Sequence, residues 1–165
     1  MNKKVSLSEL SSFLLEILQD GGEVILTVTG CSMAPMLRHR RDKVCLAKSP
    51  EEPLQKYDLP LFIRSDGRYI LHRIVEVAPS GYTVMGDNQC VREYPVLPSQ
   101  VIGVVRGFWR DGRYIACNNP LYLLYCRLWC FLHPVRLACL KGRHFMKRCA
   151  AKLFTGSRGD KNNEG

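Results

Sequence analysis

The chain has 165 residues, 46% of them hydrophobic, and a formal net charge of +9. This length supports one domain with a real core plus extensions, and this hydrophobic content excludes a generally disordered chain. The charge is uneven, because residues 1–120 hold 15 Lys and Arg against 13 Asp and Glu, whereas residues 121–165 hold 9 against 2. The basic excess therefore belongs to the C-terminal part of the chain.

The first element that the sequence predicts is an amphipathic helix over 6–19. Ser6 with Glu9 three residues later forms a capping-box pattern. The apolar face, at helical spacing, consists of Leu7, Leu10, Leu14, Ile17 and Leu18. We therefore assign 1–22 to an N-terminal amphipathic helix, which either packs on the body of the protein or lies on a partner or membrane surface.

Short runs rich in β-branched and aromatic residues follow this helix. The predicted strands are 23–29, 44–48, 61–65, 68–77, 82–85, 101–109 and 113–117. Asp66-Gly67 between two of these runs is a strong hairpin signal, whereas 49–60 predicts a loop with no element of its own. Many short antiparallel strands predict a mainly β body over 23–118, built as coiled antiparallel sheets or a partly open barrel.

The segment 120–140 is apolar and aromatic, but its run is interrupted by Arg127, His133, Pro134 and Arg136. A membrane-spanning helix needs about twenty mostly apolar residues without central charges, so this segment fails that criterion. It suits a basic amphipathic helix in a bilayer interface, or a helix that covers the β body with its basic face in water. We assign 119–154 to this helical extension and 155–165 to a disordered tail.

The N-terminus and the cysteines indicate the compartment. Eight cysteines indicate a disulfide scaffold only in a small secreted chain, and residues 1–10 lack the apolar core of a signal peptide. We therefore expect mostly reduced thiols and a protein that is cytoplasmic, or peripheral on the cytoplasmic membrane.

A stiff corner at the end of the first predicted strand presents a serine. Gly30 permits positive φ, and Pro35 restricts its own φ and the conformation of the residue before it. Ser32 between them is held on a non-helical turn, which suits a nucleophile, although an ordinary turn explains the same residues.

Five short motifs share their order and spacing with a known family. They are Gly30-Cys31-Ser32-Met33-Ala34-Pro35, Arg41-Asp42-Lys43-Val44, His72-Arg73-Ile74-Val75, Gly86-Asp87-Asn88 and Val101-Ile102-Gly103-Val104-Val105. Over roughly residues 24–110 the chain resembles the type I signal peptidases, whose superfamily includes the LexA-type self-cleaving repressors. Histidine at 72, where bacterial members carry lysine, is similar to the Ser-His subclass. The resemblance implies the coiled-sheet fold of that superfamily and a peptidase domain over 23–118.

The resemblance also implies the catalytic roles. Ser32 would be the nucleophile and His72 the general base of a serine endopeptidase, although a semi-buried strand histidine also explains His72. Glu93 stands near the position of the orienting acid, and Asp87 would be a structural or orienting acid. Within the Ser32 motif, Met33 and Pro35 would shape the substrate cleft.

The expected substrate is a signal, leader or precursor peptide that binds as an extended strand with small side chains before the scissile bond. No cofactor and no metal is implied. Cys126, Cys130 and His133 share a helical face but lack a fourth ligand at a recognisable spacing, so apolar packing is the favoured interpretation.

Other partners and functions remain open. We expect peripheral membrane contact through 120–154 and no specific nucleic acid, because the basic segment lacks a reading motif. The alternatives are an ordinary signal peptidase that acts across a membrane, and a non-catalytic member of the fold that binds peptides or membranes.

Overall fold

The computed structural model describes residues 11–136 and residue 138, and within them it contains two α-helices and nine strands. The helices are α1 (Ser11–Gln19) and α2 (Pro120–Phe131). The strands are β1 (Val24–Thr27), β2 (Lys43–Ala47), β3 (Pro60–Ile63), β4 (Tyr69–Leu71), β5 (Arg73–Ala78), β6 (Gly81–Met85), β7 (Glu93–Val96), β8 (Val101–Arg110) and β9 (Arg113–Ala116). The prediction of a mainly β protein with few helices is confirmed.

The larger sheet is antiparallel and curls into a half-barrel. Its strand order is β1-β2-β8-β3-β4, and β9 pairs with the C-terminal half of β8. Strand β8 pairs with β2 and β3, and the register shifts on both sides, between Cys45 and Leu46 and between Leu61 and Phe62. Such bulges increase local twist and bend a strand. Strands β1 and β4 are the outer strands at the two ends of this order, and β9 is a further edge strand beside β8.

A second sheet contains β5, β6 and β7, all antiparallel. Its buried residues, among them Ile74, Tyr82 and Val84, form one core cluster with Phe62 and Val104 of the larger sheet. Another cluster fills the half-barrel, where Leu14 and Leu18 of α1 and Tyr122 and Cys126 of α2 cover it. The two sheets thus share apolar contacts.

Two parts of the strand prediction differ from the structure. The predicted strand 68–77 is divided at His72, because Leu71 pairs with Leu61 in the half-barrel and Arg73 pairs with Met85 in the second sheet. Strand β7 was not predicted, because Pro95 interrupts its short run and proline lowers the strand signal. The Asp66-Gly67 hairpin occurs as predicted, and the adjacent predicted strands 101–109 and 113–117 pair as a second hairpin, β8–β9.

The chain divides into two compact units between Arg127 and Leu128. In the second unit the Arg136 guanidinium stacks on the Trp129 ring, 3.5 Å from its centroid, and donates to the Trp129 carbonyl at 3.0 Å. None of the helices in the described part of the chain has the length and apolarity needed to cross a membrane. Residues 6–10 of the predicted first helix, and the predicted tail 155–165, lie outside the described residues.

Candidate active site

Ser32 lies on a turn that the chain fixes from both ends. On the N-terminal side, Gly30 has φ +87° and donates its N–H to Nδ1 of His39 at 2.9 Å. On the C-terminal side, Asn88 donates its backbone N–H to the Ser32 carbonyl at 2.7 Å and its side-chain amide to the Cys31 carbonyl at 3.3 Å. The Ser32 turn, residues 30–33, is therefore attached to both its own loop and the Gly86-Asp87-Asn88 turn of the second sheet.

The residues after the serine anchor the turn in the core. Met33, Met36 and Leu37 are all buried, and the Leu37 N–H donates to the Met33 carbonyl at 2.8 Å. This turn thus buries three apolar side chains in the cluster that also includes leucines of α1. Because these side chains are buried, they fix the orientation of Ser32, the residue before Met33, relative to the core.

Asp42 stabilises the same loop through hydrogen bonds to two of its residues. Its side chain is fully buried, accepts the Arg38 N–H at 2.9 Å, and pairs with the Arg41 guanidinium at 2.6 and 2.8 Å. Burial alone would raise the pKa of the carboxyl, but the Arg41 and Arg38 hydrogen bonds outweigh it and keep the pKa below its usual value. The Arg-Asp-Lys-Val motif therefore has a structural role at the base of the Ser32 turn.

Three N–H groups of the Ser32 turn take no part in these contacts. Within the described chain, the backbone N–H groups of Cys31, Ser32 and Met33 donate no hydrogen bond to a protein acceptor. Consecutive free N–H groups on a rigid turn form a site that stabilises negative charge. The arrangement is therefore suited to bind an oxyanion beside the serine hydroxyl.

His72 lies where the chain passes from β4 to β5, and it is 2% exposed. Its Nδ1 lies 2.9 Å from Oε1 of Glu93 in β7, although the Nδ1–H direction is oblique to that oxygen. Arg64, which follows β3, donates to the same carboxylate from Nε at 2.6 Å and from Nη2 at 2.5 Å. The structure thus aligns Arg64, Glu93 and His72 in a chain of charged and polar contacts.

The electrostatics of this group favour a neutral imidazole beside an ionised acid. Burial lowers the pKa of His72, and the nearby Arg64 charge adds to this effect, while Glu93 opposes it. Partial burial would raise the pKa of Glu93, but the Arg64 hydrogen bond and the histidine outweigh it, so that this pKa is lowered. A neutral imidazole can accept a proton, and an ionised partner on Nδ1 stabilises the imidazolium that results.

Asp87 forms a buried ion pair with Arg73, the residue that follows His72. The guanidinium donates to the two carboxylate oxygens at 2.9 and 2.7 Å. It also donates from Nη1 to the Tyr122 hydroxyl at 3.0 Å and to the Cys126 sulfur at 2.9 Å. This pair links β5, the Gly86-Asp87-Asn88 turn that contacts the Ser32 turn, and α2. Asp87 therefore occupies a structural position.

The segments that carry Ser32 and His72 are linked through the second sheet, but the two side chains are not hydrogen-bonded to each other in the described structure. Their segments meet because Arg73 pairs with Met85, and Gly86, the next residue, lies against the Ser32 carbonyl. Within the described residues, the Ser32 hydroxyl donates no hydrogen bond to the imidazole. Catalytic hydrogen bonds in ligand-free enzymes are often long and tighten only when substrate binds, so the lack of this bond is compatible with catalysis.

A cleft of about 580 Å³ opens beside Ser32. Its walls come from the half-barrel interior and from both outer strands, with Leu26 of β1 on one side and Leu71 of β4 on the other. The described residues that line it are apolar or uncharged, and Gln89 closes one end. Such a cleft accommodates an uncharged peptide segment next to the serine.

A scan of the sequence against protein-family models finds no match, and a search among curated proteins finds no match either.

The two residues predicted to shape the cleft have different surroundings. Met33 lines the cleft and is 3% exposed, so it also belongs to the core. Pro35 lines a second groove of about 530 Å³, with Met36, Phe108 and Tyr122, and is absent from the lining of the Ser32 cleft. The prediction that Pro35 contacts substrate therefore has no support from its position.

Sequence reasoning missed Arg64 and His39. No sequence pattern indicates a role for Arg64, because its partner Glu93 lies 29 residues away in another sheet. His39 lies in a basic loop and is exposed, so nothing in the sequence singles it out, but its ring nitrogen accepts the Gly30 N–H. Asn88 was included in the family resemblance, and its contacts with the Ser32 turn give that motif a physical reason.

Proposed function

We propose that this protein is a serine endopeptidase of the signal peptidase type, with Ser32 as nucleophile and His72 as general base. The observation that carries the proposal is the buried imidazole of His72 with Oε1 of Glu93 at 2.9 Å from Nδ1. The Ser32 turn supports it, because three of its consecutive N–H groups donate to no acceptor in the described chain. A buried neutral histidine with an acid on Nδ1 is the arrangement that general-base catalysis needs.

The reaction follows from these groups. Ser32 Oγ attacks the peptide carbonyl while Nε2 of His72 accepts the hydroxyl proton, and the N–H groups of the turn stabilise the oxyanion. When the C–N bond breaks, the imidazolium gives its proton to the leaving amine and an acyl-serine remains. Water then attacks the ester with the same histidine as base, which releases the new carboxyl end and restores the serine.

The cleft supports an extended substrate. Strands β1 and β4 border the cleft and each has one edge without a partner strand within the described sheet, so a peptide can add along either edge. The uncharged lining favours an apolar stretch of a signal, leader or precursor peptide over a charged one. The resemblance adds the expectation of small side chains before the scissile bond.

Labelling with a fluorophosphonate probe tests the proposal. We expect one adduct, located at Ser32 by peptide mass spectrometry, absent in Ser32→Ala and strongly reduced in His72→Ala. Ser99→Ala, which removes an exposed serine outside the site, is the matched control and should label like the wild type. An unlabelled wild-type protein with an intact circular dichroism spectrum would refute the enzyme proposal.

A non-catalytic peptide binder is the second candidate, and the absence of a hydrogen bond between the Ser32 hydroxyl and His72 in the described chain favours it. Fluorescence anisotropy with labelled apolar leader peptides separates the two functions. A binder retains the peptide intact and takes no adduct, whereas the peptidase cleaves it.

We also propose peripheral contact with a membrane through 120–154. Support comes from the exposed Leu121 and Leu124 in the first unit, 77% and 53% exposed, and from the excess of basic residues in 121–165. Co-sedimentation with anionic vesicles should exceed that with zwitterionic vesicles and fall in the Leu121→Ser/Leu124→Ser variant. Val91→Ser, which replaces an exposed apolar residue elsewhere, should bind normally; equal binding by all variants would contradict this proposal.

A further inference from the structure

We propose that His39 is a positioning residue that holds the Ser32 turn in its reactive shape. The proposal rests on the proposed peptidase function and assigns a role to a residue outside the acid–base chain. Its basis is the 2.9 Å hydrogen bond from the Gly30 N–H to Nδ1 of His39, nine residues along the chain.

The bond continues a short backbone ladder that extends beyond β1 and β2. The Val28 N–H donates to the Asp42 carbonyl at 3.0 Å, and the Arg40 N–H donates to the Val28 carbonyl at 2.8 Å. At Arg40 the chain has φ +57°. The next donor along the first strand, Gly30 N–H, is accepted by the His39 side chain in place of a backbone carbonyl.

This bond affects the conformation around Ser32, which lies two residues after Gly30. Gly30 has a positive φ and no side chain, so its conformation is the softest point of the turn. Asn88 fixes the carbonyls of Cys31 and Ser32, and His39 fixes the N–H before them. With both ends held, the N–H groups of Cys31 and Ser32 keep one direction, as an oxyanion site requires.

The chemistry of this hydrogen bond determines which substitutions of His39 can preserve it. An imidazole that accepts at Nδ1 carries its proton on Nε2, so the side chain acts as a neutral acceptor. Asparagine places an oxygen on the same γ carbon and can accept the same N–H, whereas alanine cannot. His39→Asn should therefore preserve the tether that His39→Ala removes.

Fluorophosphonate labelling rates at Ser32 provide the first test. His39→Ala should lower the rate constant about fivefold, the factor that one hydrogen bond of ordinary net strength is worth, while His39→Asn restores most of it. Lys48→Ala removes an exposed cation that follows β2, outside this loop, and should label like the wild type. Thermal unfolding of each variant separates a change in the turn from a loss of global stability.

Nuclear magnetic resonance provides a test that needs no enzyme activity. In the wild type we expect a through-hydrogen-bond coupling between the Gly30 nitrogen and Nδ1 of His39, and slower amide exchange at Gly30 than in His39→Ala. If the wild type takes no adduct, the peptidase proposal fails while the Gly30 amide still decides the role of His39. Unchanged exchange and unchanged labelling in His39→Ala would overturn the positioning role.

Discussion

The buried Arg73–Asp87 pair should be the costliest single polar contact to break in the first unit. Their side chains are 1% and 3% exposed, and two hydrogen bonds of 2.9 and 2.7 Å join them. Asp87→Asn keeps the shape of the side chain but leaves the guanidinium without its counter-charge. Removal of one partner of a buried ion pair costs about 3–5 kcal/mol, because the other charge remains buried and uncompensated.

This cost is measurable as a change in the unfolding transition. For a chain of 165 residues, about 2–4 °C of melting temperature corresponds to each kcal/mol, so Asp87→Asn should melt about 6–20 °C lower. Thermal and urea unfolding at pH 7, followed by circular dichroism, provide the assay. Asp66→Asn is the matched control, because its pair with Arg68 is exposed and should contribute little.

Two outcomes would refute this reasoning. The first is a loss of less than about 1 kcal/mol in Asp87→Asn, which would mean that water or another group compensates the arginine. The second is an equal effect of Asp87→Asn and Asp66→Asn, which would mean that burial is irrelevant. Replacement of both partners by apolar residues, as in Arg73→Met/Asp87→Leu, should recover part of the loss because no lone charge remains.

Three further predictions concern the site. The labelling rate should stay constant as the pH falls through 6.5 and decline only at lower pH. The reason is that burial lowers the pKa of His72 below that value, and the neutral imidazole is the proposed base. A decline centred above pH 6.5 would contradict this prediction. Glu93→Gln should slow labelling by up to about 10⁴-fold and move this decline to still lower pH, because the carboxylate raises the pKa of His72; an unchanged rate would exclude its orienting role. Gly86→Ala should slow labelling several-fold, because a Cβ there would lie 2.8 Å from the Ser32 carbonyl oxygen, and a crystal structure with an unmoved turn would disprove this cause.

The fold could be predicted largely from local signals, and the site only in part. Strand runs and the Asp66-Gly67 turn are local, so the β class and two hairpins follow from them. The division at His72 could not be predicted, because residues 68–77 form one alternating run and only their distant partners, Leu61 and Met85, separate it into two strands. A change of sheet is a property of non-local pairing.

The site residues show the same limit. Ser32, His72, Glu93 and Asp87 could be proposed from motifs, and the structure brings Glu93 to Nδ1 of the histidine. The distinction between the two acids could not be made, because it depends on which arginine each acid meets. Neither ion pair has a helical or strand spacing that the sequence could reveal.

The contacts of the site cross from one sheet to the other. Arg64 follows a strand of the half-barrel whereas Glu93 belongs to the second sheet, and the Ser32 carbonyl meets Asn88 beyond β6. Slight loosening of the sheet–sheet interface would therefore misalign the reacting groups while each sheet keeps its own ladder. Mild heat or low denaturant should consequently inactivate the protein before its secondary structure melts, and activity would then report on the docking of the sheets.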